Sequence, residues 1–147
     1  MHGEASGIGS GAWPLWDLSD LYGSRTDPRL AADLDRGRGL VADLTALQGQ
    51  MIAVRADPAA LGAALDRVIG LYEQATEILG GLGAYAFLAA STDRNDAAAQ
   101  GFEADVREKV TAISTPTVWV TLEINQLDEG ELAAALAASP AAARWTP

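Results

Sequence analysis

With 147 residues, 49% of them hydrophobic, and a mean hydropathy of +0.08, the chain has the size and apolar content of one folded domain, and the composition excludes a disordered one. Twenty acidic residues against ten basic ones give a net charge of −10 and a pI near 4.3, with no basic stripe to track a phosphate backbone, so nucleic acid is excluded as a partner. The absence of cysteine and the single histidine, His2, exclude disulfides, thiolate chemistry and the usual zinc ligand sets, and no catalytic, cofactor-binding or metal-binding residue is assigned within the chain.

Residues 1–12 read as a flexible leader, and His2 as a terminal surface residue. The stretch has neither the basic start nor the continuous apolar run of a secretory signal, so a cytoplasmic protein is expected. Its Gly7, Gly9 and Gly11 follow no predicted strand and miss the G-x-G-x-x-G spacing, which argues against a nucleotide loop. The longest uncharged run, residues 78–92, is too short for a membrane span and suits a buried helix.

Asp27-Pro28 and Asp57-Pro58 use one device twice, a capping carboxylate followed by proline at the first helical position, where a missing N–H costs nothing. The first helix carries Leu30, Leu34, Val41, Leu44 and Met51 at helical spacing, but Gly37 and Gly39 interrupt it and predict a bend or break, with close packing as the other common reading and a functional hinge the less common one. After Pro58 the steps of four and three from Leu61, Leu65, Val68, Tyr72 and Ala75 to Leu79, Leu82, Ala86 and Ala89 predict one long helix near 58–91.

Polar residues 91–96 predict a loop in which Asn95 or Asp96 caps the next helix. The following segment alternates from Val118 to Ile124 as a strand would, and also steps helically through Val106, Val110, Ile113, Thr117, Val120, Ile124 and Leu127. No other segment offers a strand partner, so the reading is a helix near 97–127, kinked at Pro116. A short helix from about Asp128 places Glu129 and Glu131 in its first turn and directs Leu132 and Leu136 inward. The predicted fold is all-α, an antiparallel bundle of about four to five helices over residues 13–147.

Two helices carry apolar residues on more than one side. Val118, Trp119 and Leu122 lie opposite the face of Ile113, Val120 and Ile124, and Leu71, Ile78, Leu82 and Tyr85 flank the main stripe of the long helix. Such faces predict self-association or a larger covering partner, although the middle helix of a bundle also buries two faces. Trp145, near the end of the sequence, favours the missing partner.

Three stretches taken together carry a resemblance. Trp16-Asp17-Leu18-Ser19-Asp20-Leu21-Tyr22, then Tyr85 with Ala90, Thr92, Asp93 and Asp96, then Leu122-Glu123-Ile124 with Leu127, resemble in order the N-terminal region of oligoendopeptidase F-like zinc metallopeptidases of the M3 family. The resemblance implies an all-helical enzyme that cleaves short peptides in a deep cleft, whose N-terminal region forms part of the wall or lid. It also implies a zinc held by the two histidines of an HExxH motif and a downstream glutamate, with the motif's own glutamate as general base. This chain contains no HExxH, so zinc belongs to a catalytic half outside it, and that half is expected to pack on the apolar helix faces. The chain alone is expected to be inactive. An independent acidic helical interaction module, with no membrane partner either, is the alternative.

Two polar features invite a chemical role. Asp93 and Asp96 form a carboxylate pair able to share a proton or bind a hard cation, but a turn and a helix cap account for both. Glu123 interrupts an apolar face, where a contact to substrate or to a basic residue of the missing half competes with a structural ion pair or an exposed edge, and the structural account is preferred.

Overall fold

The computed structural model describes residues 20–144; the leader, His2, Trp13, Trp16 and Trp145 lie outside them. The chain is an all-α bundle, with no strand among the described residues. Its helices are α1 (Pro28–Thr45), α2 (Gln50–Ala53), α3 (Pro58–Thr92), α4 (Ala97–Ser114), α5 (Trp119–Ile124), α6 (Glu129–Ala138) and α7 (Pro140–Ala143), with a 3₁₀ turn over Thr115–Val118.

The helix starts follow from local chemistry. Asp27 accepts from the Arg29 N–H at 2.9 Å, Asp57 from the Ala60 N–H at 3.2 Å, and Asp96 from the N–H groups of Ala98 and Ala99 at 2.9 and 3.2 Å. Each satisfies donors that a helix start leaves without intrahelical partners. At α6 the capping is reciprocal: Asp128 accepts from the Glu131 N–H at 2.7 Å while the Glu131 carboxylate accepts from the Asp128 N–H at 3.0 Å.

Helix α3 has 35 residues, a rod about 52 Å long, and the others pack along it. Around its second half, Leu79, Leu82, Tyr85 and Ala86 meet Leu30, Leu34 and Val41 of α1 and Val106 and Ile113 of α4. Around its first half, Leu61, Leu65 and Val68 meet Leu44, Met51, Trp119, Val120, Leu127 and Ala135. Thus α1 and α4 both run antiparallel to α3 and parallel to each other; Gln100 at the start of α4 donates to the Ala90 carbonyl at the end of α3, 3.0 Å away. Tyr72 and Ala89, expected on the inner stripe, are only half-buried.

Helix α1 does not break at Gly37 or Gly39. Gly37 is buried against α3, where a Cβ would stand 2.8 Å from Leu79 Cδ2, so its missing side chain makes room for leucine. The break comes after Thr45, and Met51 belongs to a separate short helix. Gly49 has φ +87°, the left-handed region in which glycine carries no Cβ penalty, and it reverses the chain into α2.

The predicted kink at Pro116 takes the form of the 3₁₀ turn. Four residues wound at about 120° rather than 100° each advance the helical phase by about 80°. That advance turns both Trp119 and Val120 into the core, so Trp119 leaves the outer stripe assigned to it, while Val118 and Leu122 remain 63% and 57% exposed. The second stripe of α3 is covered by the chain's own helices, with Leu82 and Tyr85 buried and Leu71 and Ile78 half-buried. On α6, Leu132 and Leu136 are half-buried, and Ala135 faces inward. The reason is close approach: Ala135 and Ser139 lie directly over Gly62 of α3, which leaves no space for a larger side chain.

Candidate functional site

The quoted stretches come together at two places, one in each core. At the first, Tyr22 meets the edge of Tyr85 with ring centroids 5.1 Å apart, and Tyr85 meets Phe102 at 6.1 Å, both close to the perpendicular geometry favoured by aromatic quadrupoles. The Tyr22 hydroxyl donates to Asp33 at 2.7 Å, and the Arg29 guanidinium lies 5.6 Å from the Tyr22 ring centre. Burial, then the hydrogen bond to the Asp33 carboxylate, push the Tyr22 phenol well above its ordinary range. Burial also raises Tyr85. Both phenols therefore stay neutral at ordinary pH and serve as packing groups.

Beside this cluster, Arg25 reaches Asp96 at 3.2 Å and closes the segment before α1 onto the turn before α4. Asp93 accepts from the Asn95 N–H at 2.9 Å, and Asp96 is occupied by its cap and by Arg25. The Asp93–Asp96 pair thus works as turn and cap. Among the described residues, no group of three or more His, Cys, Asp or Glu side chains is gathered to hold a metal ion.

At the second place, Glu123 is buried and makes no ion pair among the described residues. The phase advance at the 3₁₀ turn carries it inward, onto the face of α5 that buries Trp119 and Val120. Its Oε1 accepts from the Gly49 N–H, while Oε2 and the Trp119 indole Nε1 are buried without hydrogen-bond partners among the described residues. A buried carboxylate with one acceptor lone is costly, and this one ties α5 to the turn before α2, 74 residues earlier. The glycine partner explains the geometry: its left-handed backbone accompanies an N–H aimed at the carboxylate.

A second tie lies nearby. Arg55 donates from Nε and Nη2 to the two oxygens of Glu131, both at 2.8 Å, and also to the Gln126 carbonyl at 3.0 Å. This paired geometry fixes α6 against the turn that precedes α3. The Arg55 side-chain hydrogen bonds hold Glu131 below the usual carboxylate range. Arg29 does the same for Asp27, with backbone N–H groups of Arg29 and Gly23 adding to it, and the Ala99 N–H leads the lowering at Asp96.

These three carboxylates contribute to the acid limb of stability. Their folded pKa values lie below the unfolded value of about 4, so the unfolded chain takes up protons first as pH falls. The stabilisation is complete above about pH 4 and is lost as pH drops through the folded values. The urea midpoint is therefore expected to fall steeply below about pH 4, and Asp27→Asn with Asp96→Asn to flatten that fall, since Asn caps helices without titrating.

Among the grooves on the surface of the described residues, two lie along α4. One, of about 420 Å³, runs between the end of α3 and the start of α4 and is bordered by Phe87, which is 62% exposed, with Arg94, Gln100 and Arg107. The other, of about 670 Å³, lies between α1 and α4, with Arg38 and Lys109 above a floor of Val41, Ala42, Ala112 and Ile113. No described helix is long and apolar enough to cross a membrane. Compared with known proteins, the chain matches no protein family, no curated protein and no solved structure.

Proposed function

We propose that this chain is the N-terminal helical scaffold of a zinc oligopeptidase of the oligoendopeptidase F-like type, with cleavage of short peptides performed by an HExxH half that packs on its apolar faces. The observation that supports this most is spatial. Stretches that resemble that family, far apart in sequence, supply the ties that hold the domain together: Tyr22 on Tyr85, Asp96 on Arg25, and buried Glu123 on Gly49. Within the last stretch Leu122 stays exposed beside Val118 four residues earlier, a ridge open to a second body.

The test is complementation. The 147-residue chain alone is expected to cleave no internally quenched fluorogenic oligopeptide, with or without added zinc. Mixed with the separately produced catalytic half of an oligoendopeptidase F-like enzyme, inactive for want of its own N-terminal region, it is expected to restore zinc-dependent cleavage. Hydrolysis by the chain alone overturns the proposal. A cooperatively folded chain that leaves the catalytic half inactive returns the assignment to an independent acidic interaction module.

A further inference from the structure

We infer that the groove between α1 and α4 is a binding site for a small anionic amphiphile, one carboxylate head on a medium-length aliphatic chain. The inference is independent of the peptidase reading. It starts from charge: a chain with twenty acidic and ten basic residues places Arg38 and Lys109 on this groove and no carboxylate among its lining residues. Because α1 and α4 run parallel, and each cation precedes the apolar residues of its own helix, the two cations share one end of the groove. Val41, Ala42, Ala112 and Ile113 form the floor beyond them, and Thr45 and Pro116 line the far end. A charged mouth leading to an apolar trough is the complement of an anionic head and a hydrocarbon tail.

Size decides between occupants. The volume of about 670 Å³ lies in the range of small-ligand clefts. The lining of α1 spans Arg38 to Thr45, about 10 Å of helix, which suits a short chain and is short for a docked partner helix. A second copy is opposed by the repulsion of two chains of charge −10. Arg38 is paired with Asp35 and Lys109 with Asp105, both at 2.7 Å, but all four side chains are substantially exposed. Such surface pairs are weak, and a ligand carboxylate whose tail displaces water from the trough competes for both cations.

The test is a titration of the full chain with decanoate below its micellar concentration, followed by calorimetry and by amide chemical shifts. Saturable binding is expected, with shifts along Arg38–Thr45 and Lys109–Pro116. Arg38→Ala with Lys109→Ala is expected to weaken it at least tenfold. Ala112→Phe, a change at an exposed position that fills the trough, is expected to abolish it with the circular dichroism unchanged. Equal affinity for decyltrimethylammonium, shifts centred on the Phe87 groove, unchanged binding in both variants, no binding, or binding to anionic lipid vesicles but not to monomeric decanoate would each overturn the inference. Should the double variant fail to fold, Ala112→Phe and the cationic amphiphile decide the question.

Discussion

Gly62→Val is expected to cost about 3 kcal/mol in urea denaturation, the upper end of overpacking effects. A Cβ at Gly62 would stand 2.5 Å from Ser139 Cβ and 2.7 Å from the Ala135 carbonyl oxygen. Neither is the free end of a flexible side chain, so α6 and α7 must lift away from α3 to admit even one carbon. With them would go the fully buried contact of Ala135 with the Leu61–Leu65 core. Gly80, in the same helix with open space around it, provides the control. Gly80→Ala gains helix propensity without a clash and is expected to stabilise by about 0.5–1 kcal/mol. A Gly62→Val variant as stable as the parent would show that the α3–α6 seam is not close-packed.

Tyr85→Ala is expected to be the most damaging truncation in the other core, at about 3–5 kcal/mol. The ring is buried between Tyr22 and Phe102 and holds the segment before α1 against the bundle. Its loss removes two aromatic edges and leaves a cavity that helices pinned at both sides cannot close. Tyr85→Phe keeps the ring and is expected to cost under about 1 kcal/mol, since volume-conserving swaps are tolerated. Amide exchange should separate the two further. In Tyr85→Ala the Tyr22–Asp27 segment is expected to lose protection ahead of α3, and in Tyr85→Phe to keep it.

What the sequence disclosed was mostly what is decided locally. Asp-Pro caps, the helix start at Asp128 and the stripe from Leu61 to Ala86 depend on residues within one or two turns, and the structure carries them, with Tyr72 alone of that stripe left half-buried. The misreadings share another cause, which is that their deciding partner lies far along the chain. Gly37 reads equally as a break or as a close-packing position from the sequence, and only the distant Leu79 decides for close packing. Hydropathy directs Leu132 and Leu136 inward, and Leu132 does pack on the edge of the second core, but the close approach at Gly62 gives the centre of the seam to Ala135.

Glu123 combines both difficulties. Pro116 predicted an interruption without saying that four 3₁₀ residues would advance the phase, and the side chain moved from the flank of the helix to its inner face. Its acceptor role then depended on the backbone of Gly49, which no side-chain pattern reveals. The signals available were the glycine in a turn between helices and the proline shortly before the acidic residue. Neither named the other.

The division of α3 between two cores has a bearing on biosynthesis. As the chain leaves the ribosome, the Leu79–Ala86 half finds α1 already made and waits only for α4. The Leu61–Val68 half meets Leu44 and Met51 early, but Trp119, Leu127 and Ala135 are translated roughly fifty to seventy residues later. For that interval the flank of the longest helix that Trp119, Leu127 and Ala135 cover in the folded chain is without them, and burial there must wait for the last third of the chain.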